Sequence, residues 1–392
     1  MKTEQEHKNV QCTMNNVQWR KVKLGEVCFP SSEKYNPLTE NIFQYCIEME
    51  NINQEIGTIN GKSEIAKLLS LKTKFHKGDV LYGKLRPYLR KYWLADFDGA
   101  CSTEIWVLKN AENIDNQFLF YLFQAESINK IANLSSGTKM PRADWKFMEK
   151  QDISIPFKNN KPDLSTQRRI AAILTSADKV IDSTRRLVEK YKKMKQGMME
   201  GLFNEQCTMN NVHWKMVKLG ECCEDVFSGK NTKRQDFGKY VVYGSTGPIG
   251  YSEDYEYDFD AVLVARVGAN AGLVNKVSGL YDVSDNTLII KILRNIDLNY
   301  MYYLLIRLNL NQFIFGSGQP LVTAGLLKKI EIPIPYKNDK PDLAEQRRIA
   351  AILSGIDAKI AAEEKVLEKY EKVKKGLMEK LLESDAQLVE KV

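Results

Sequence analysis

Two stretches of the chain carry a repeating set of seam positions in alternating steps of four and three. The first runs Ile170, Leu174, Ala177, Ile181, Thr184, Val188, Tyr191 and Met198, interrupted at Lys195. The second runs Ile349, Leu353, Ile356, Ile360, Leu367, Tyr370 and Leu377, interrupted at Glu363 and Lys374. A 3.5-residue period of this kind is a coiled-coil seam, so both stretches are predicted as long helices that need a partner. Asp342 and Glu345 have capping-box spacing, and Pro162 and Pro341 stand just ahead of the two starts. About 30 residues at 1.5 Å each reach roughly 45 Å, beyond the face of one small domain. Each helix could still lie on its own domain. The length favours the other arrangement, an intramolecular antiparallel coiled coil built on Ile170, Leu174, Ile181 and Tyr191 of one helix and Ile349, Leu353, Ile360 and Tyr370 of the other.

Between and ahead of these stretches the period shortens. Residues 77–108, KGDVLYGKLRPYLRKYWLADFDGACSTEIWVL, form strand-like runs rich in β-branched and aromatic residues and broken by Gly, Pro and Asp turns. They predict a mixed α/β or mostly β domain.

The chain is also written twice. QCTMNNVQWRKVKLGEVC at 11–28 returns at 206–223 with 14 of 18 positions identical, and KPDLSTQRRIAAIL at 161–174 returns at 340–353 with 12 of 14 identical. The inserts they enclose, 29–160 and 224–339, barely resemble each other except at their exits, DISIPFKNNKPD and EIPIPYKNDKPD. A duplicated frame around dissimilar inserts points to one task performed on two unlike targets.

Composition bounds the chemistry. At 392 residues the chain is too long for one ordinary core, and no apolar run approaches the ~20 residues that span a bilayer. The N-terminal MKTEQEHKNVQC lacks an apolar h-region, so a soluble, cytoplasmic chain is expected. Seven cysteines form no C-x-x-C pair, and only three histidines are present. Neither a zinc site nor histidine acid–base chemistry is expected. Lys and Arg number 57 against 50 Asp and Glu, a surplus of 7 that permits a polyanionic partner without requiring one.

Within the first insert, Lys84, Arg86, Arg90 and Lys91 alternate with Tyr82, Tyr88, Tyr92 and Trp93. That combination offers phosphate neutralisation beside flat hydrogen-bonding surfaces, although a lysine-guarded strand edge gives the same pattern. The loop SSGTKMPRADW at 135–145 adds Lys139 and Arg142. The second insert opens on SGKNTKRQDFGKY, with Lys230, Lys233 and Arg234 on a polar loop. GSTGPIG and GANAG read as tight turns rather than phosphate cradles, lacking the Gly-Lys-Ser/Thr ending. Arg266, Asn270, Lys276 and Gln319 fall near those turns, and Arg, Asn and Gln side chains can each contact a base edge bidentately.

The order of these blocks, together with GKLRPYLRKYW, DGACSTEIWVL, YGSTGPIGY, SGQPLV and QRRIAAIL, resembles the specificity subunits of type I restriction-modification systems over nearly the whole chain. The resemblance implies an α+β chain in which two mixed α/β target-recognition domains, 1–160 and 206–339, alternate with helical spacers, 161–205 and 340–392. It implies a reader of double-stranded DNA that is no enzyme itself, each domain taking one half of a bipartite, asymmetric site. Chemistry would belong to two methyltransferase subunits using S-adenosylmethionine and to restriction subunits using ATP and Mg; no cofactor is expected on this chain. A coiled-coil adaptor that binds proteins is the alternative, and a stand-alone nuclease is a more remote one.

Overall fold

The computed structural model describes residues 17–65, 70–134, 140–203, 212–313 and 321–382. The chain divides into two compact units, one of residues up to 183 with those from 367 onward, the other of residues 184–366. The division runs through both long helices, so each unit holds one globular body and a stretch of each helix.

In the first unit the repeated opening block supplies β1 (Gln18–Lys23) and, at its end, β2 (Cys28–Pro30). The insert contributes β3 (Val80–Gly83), β4 (Tyr92–Leu94), β5 (Ile105–Asn110) and helix α1 (Asn116–Leu122). Its exit forms β6 (Asp152–Lys158) and β7 (Lys161–Pro162), leading into α2 (Leu164–Leu202). The second unit repeats the series as β8 (His213–Lys218), β9 (Cys223–Ser228), β10 (Ala261–Ala265), β11 (Val274–Val277), β12 (Thr287–Ile292), α3 (Leu298–Arg307), β13 (Glu331–Lys337), β14 (Lys340–Pro341) and α4 (Leu343–Leu382).

The topology explains what was repeated. β1 pairs antiparallel with the exit strand β6, from Gln18 opposite Phe157 to Lys23 opposite Asp152, and β8 pairs with β13 in the same register, from His213 opposite Tyr336 to Lys218 opposite Glu331. The two similar blocks thus close each insert at its neck. Asn159 and Asn160, like Asn338 and Asp339, have φ between 52° and 61°. They make the two-residue turns that short-chain Asn and Asp tolerate best.

The inserts are less different than their sequences. The first unit has a four-stranded sheet ordered β2-β5-β3-β4, and the second has β9-β12-β10-β11, the same order with every neighbour antiparallel. Divergence is concentrated in the additional sheets. The first unit adds a five-stranded sheet including Lys72–Phe75 and Gly99–Ser102, and the second a three-stranded one of Gly247–Ser252, Tyr240–Gly244 and Tyr281–Val283.

Each long helix is seated in its own unit and then leaves it. Ile170 and Leu174 are fully buried in the first unit's core with Phe118, Leu119 and Ile155, and Ile349 and Leu353 in the second's with Tyr300, Leu304 and Ile334. A buried Ile or Leu contributes about 1.5–3 kcal/mol, which anchors the first turns. Both arrangements weighed from the sequence therefore occur, on different stretches.

The two long helices also pack together. In the second unit Val188 and Tyr191 of α2 join Ile356 and Ile360 of α4 in one apolar cluster. There Lys192 pairs with Glu364 and Lys195 with Asp357, so residue numbers rise on one helix as they fall on the other. In the first unit Leu377, Leu381 and Leu382 of α4 share the core cluster of Ile170 and Leu174. Ile181 is also buried, whereas Tyr370 is 39% exposed. At 39 and 40 residues the helices outrun the sequence estimate, each reaching about 60 Å.

The capping expectation needs correction at one atom. The Asp342 carboxylate accepts from the main-chain N–H groups of Ala344 and Glu345, as a cap should. The Glu345 carboxylate, however, is held by both the Nε and an Nη of Arg348 at 2.7 Å. The box stays half closed because the Asp342 N–H already donates to the Pro335 carbonyl at 2.7 Å.

Candidate nucleic-acid interface

In the first unit the candidate residues lie where β3 runs out. The Lys84 N–H donates to the Glu104 carbonyl at 3.0 Å, and the Lys84 carbonyl accepts from Ala143 N–H at 2.9 Å. Arg86 N–H then donates to the Pro141 carbonyl at 2.7 Å, and Leu85 bridges to Arg142. Two loops more than 50 residues apart in sequence are thereby brought side by side. Arg86 (φ 52°) and Arg90 (φ 49°) both sit in the left-handed region and bracket the short Pro87–Leu89 turn. Such a conformation costs a non-glycine residue on the order of 1 kcal/mol or more, and here it turns Tyr88 outward, 53% exposed.

The basic residues of this region divide into two sets. The Arg90 guanidinium donates to Glu126 at 2.6 Å and to the Gln124 carbonyl at 2.7 Å. Lys91 donates to the Met49 carbonyl at 2.6 Å, and burial pulls its ammonium below the ordinary lysine range. Arg142 is bidentate on Glu104 at 3.0 and 3.2 Å. Each of these three is engaged by acceptors within its own unit. Arg86 is exposed and Lys84 half-buried, and among the described residues no ion pair or hydrogen bond ties either side chain. Lys139 lies outside the described residues.

The second unit builds the same junction from other residues. Arg266 follows β10 as Lys84 follows β3. Its N–H donates to the Asn286 carbonyl at 2.9 Å, and its carbonyl accepts from Val322 N–H at 2.8 Å, with Val267 bridged to Leu321. Glu104 and Asn286 each immediately precede the strand beside it, β5 and β12, and Ala143 and Val322 each precede a helix N-cap, Asp144 and Thr323. Lys84 and Arg266 therefore occupy one structural position in two dissimilar sequences. The Arg266 guanidinium meets Ser228 Oγ at 3.3 Å. Asn270 is exposed beyond it, between Gly268 (φ 78°) and Gly272 (φ 87°), in the tight turn the glycines predicted.

Lys276 is likewise engaged within its unit, reaching the Asn299 side-chain oxygen and lying 5.1 Å over the Tyr302 ring. On the opening loop, Lys230 pairs with Glu256 at 3.1 Å. Lys233 and Arg234 are exposed, with no side-chain hydrogen bond or ion pair among the described residues. This loop is pinned by reciprocal main-chain bonds between Gln235 and Tyr251, both 2.9 Å. The pinning brings it beside the acidic stretch 253–260, which sequence reasoning had not set against it. Sequence reasoning also passed over Phe237, which stands 85% exposed on the same loop; the signal was an isolated apolar residue in QDFGK. Gln319 lies outside the described residues.

The repeated Gln-Arg-Arg has an internal part. Gln167 and Gln346 are completely buried. Gln167 takes the Asp115 N–H at 2.8 Å and donates to the Asn113 carbonyl at 3.1 Å; Gln346 does the same to Asp297 and Asn295 at 2.9 and 3.4 Å. Arg168 then pairs with Asp115 at 3.2 Å and Arg347 with Asp297 at 3.9 Å.

Among the described residues no three His, Cys, Asp or Glu side chains are placed to hold a metal ion. The five described cysteines are buried, and burial pushes the Cys222 thiol up to about 11. No helix of the described residues is long and apolar enough to cross a membrane.

Among curated proteins the chain is similar to the type I restriction enzyme MjaVIII specificity subunit of Methanocaldococcus jannaschii, 27% identical over 323 residues and covering 72% of each chain. It is also similar to the type I restriction enzyme EcoDI specificity subunit of Escherichia coli, 24% identical over 223 residues, which span 46% of that protein. Among solved structures, the S subunit of a type I restriction-modification system from M. genitalium superposes with a TM-score of 0.62, covering 94% of this chain and 97% of that one. At 18% identity that likeness establishes the fold. The family pattern for the type I restriction modification DNA specificity domain matches residues 16–192 and again 211–372, once in each repeat, and the chain belongs to that family.

Proposed function

We infer that the chain reads a bipartite, asymmetric site in double-stranded DNA, one word for each globular body, and presents it to partner subunits that do the chemistry. The observation that carries this reading is the position shared by Lys84 and Arg266. Two loops without sequence similarity are hung from the same strand end, fastened by the same main-chain bonds, and each offers a cation there. A common scaffold with different loops is what reading two different words requires, since phosphate contacts fix position and base-edge contacts select sequence. Lys84, Arg86 and Tyr88 serve the first word, and Arg266, Asn270, Lys233 and Arg234 the second. The paired helices set the gap between the words.

Two methyltransferase subunits and the restriction subunits would complete the assembly, carrying S-adenosylmethionine, ATP and Mg on their own sites. The test is selection of bound fragments from random DNA by the full chain, followed by filter binding across a salt series. Two different words at a fixed gap, with affinity falling steeply as salt rises, is the expected result. A palindromic site would contradict two unlike words, and affinity indifferent to salt would instead favour a protein-binding adaptor.

A further inference from the structure

Lys195 and Lys374 each interrupt a seam, the second of which is also broken at Glu363, and the fold gives each an aspartate and a tyrosine, with Gln124 Oε1 accepting a further bond from Lys374 at 3.1 Å. Lys195 Nζ lies 2.6 Å from Asp357 Oδ1, while the hydroxyl of Tyr303 donates to Asp357 Oδ2 at 2.7 Å. Lys374 Nζ lies 2.6 Å from Asp178 Oδ1, while Tyr121 donates to Asp178 Oδ2 at 2.8 Å. Each ammonium also rides above the tyrosine ring, at 5.2 and 5.7 Å. The lysine side chains are only 20% and 13% exposed, and burial holds both tyrosines protonated, as donors. In each cluster the lysine comes from one repeat and the aspartate and tyrosine from the other. The lysine follows its own repeat's aspartate at one spacing, since 195 − 178 and 374 − 357 both give 17.

We propose that these two Lys–Asp–Tyr clusters determine the register in which the long helices pair, and through it the gap between the DNA words. Apolar seam residues stabilise many registers alike, whereas a covered charge accepts only the one that supplies its counter-ion. The competing registers are penalised by the sequence itself. Sliding the helices one heptad in one direction sets Lys195 opposite Ala350 and Lys374 opposite Ala171, both without a counter-charge. Sliding the other way offers Glu364 to Lys195 but sets Lys374 against Arg185. A seven-residue slip is about 10 Å of helix, or about three base-pair steps of DNA. The spacing consequence rests on the DNA-reading function; the register itself does not.

The test uses the full chain with Lys192→Cys and Glu364→Cys, positions whose native side-chain ends meet at 3.0 Å from Nζ to Oε1, joined by a bifunctional thiol reagent long enough to replace those side chains, and two sets of charge changes. Asp178→Lys with Asp357→Lys places like charges together and is expected to cut the 192–364 cross-link at least fivefold while circular dichroism stays helical. In the same variant, the gap chosen from a DNA pool with a randomised spacer should broaden or move by about three base pairs, both words unchanged. Adding Lys195→Asp and Lys374→Asp restores opposite charges and should restore both the cross-link and the single gap. A reversed variant that keeps the native cross-link and gap overturns the proposal. If that variant does not fold, the four-fold swap decides alone: recovery of cross-link and gap supports register control, and failure to recover them overturns it. A wild-type chain that selects no DNA would remove the reading function and leave the cross-linking result standing.

Discussion

Gln346, completely buried, accepts the main-chain N–H of Asp297 at 2.9 Å and so ties the base of α4 to the first turn of α3. Asp297 is the N-cap of that helix, its carboxylate taking the Tyr300 N–H at 3.0 Å. The glutamine therefore supports the residue that supports the helix, and Gln167 repeats the device on Asp115.

Replacing Gln346 by Leu keeps the volume but leaves the Asp297 N–H and the Asn295 carbonyl unpaired inside the protein. An unsatisfied buried group costs about 1–3 kcal/mol, so the second unit should lose about 2–4 kcal/mol and the amide of Asp297 should lose hydrogen-exchange protection. Gln167→Leu should do the same at Asp115. Retained protection in either variant would deny the glutamines this part.

Arg86 and Arg90 flank one turn yet should fail differently. Arg86→Ala leaves the backbone cost unchanged, since both residues must adopt the left-handed conformation, and removes an outward cation. Affinity for the first word should fall by about 5- to 150-fold, about 1–3 kcal/mol, without a change in Tm. Arg90→Ala breaks the contacts to Glu126 and the Gln124 carbonyl and should lower stability by about 2 kcal/mol. Calorimetry beside DNA titration of both variants separates the two parts; equal effects on affinity would contradict the division.

Asp163 gives a pH dependence at the start of α2. Burial alone would raise its pKa, but the Thr166 hydroxyl and the N–H groups of Thr166 and Ser165 outweigh it and hold the carboxyl below the usual range. A pKa lowered by folding contributes stability that is present above the unfolded value, about 3.9, and is lost as pH falls through the folded value. Asp163→Ala should therefore cost about 1 kcal/mol at neutral pH, about 2–4 °C in Tm. Asn, which caps without titrating, should match the wild type more closely as the pH drops below about 4. A difference between Asp and Asn that does not change from pH 7 to pH 3 would exclude the titration.

The necks and helices were legible because the repeats wrote them out. Ile170, Leu174, Ile349 and Leu353 announced their buried faces through periodicity, and KNNKP and KNDKP announced the turns through residues that tolerate positive φ. Tyr370, a seam position by its period, is 39% exposed, which periodicity alone did not announce. Of the candidate basic residues, sequence identified the type but not the employment: Arg86 and Arg90 are four positions apart in one motif, and only the placement of Glu126 and Gln124 assigns one inward. Lys195 and Lys374 read as flaws in a seam, because their counter-ions lie more than 160 residues away.

By itself the sequence determined the duplicated frame, the long amphipathic helices and the mild basic surplus, since each is a property of local order and composition. The tertiary structure decided that two dissimilar inserts share one strand order, that Lys84 and Arg266 are counterparts, and which charges are consumed inside the fold. Those outcomes depend on main-chain hydrogen bonds and ion pairs between residues far apart in the chain, and such bonds leave no periodic trace in the order of amino acids.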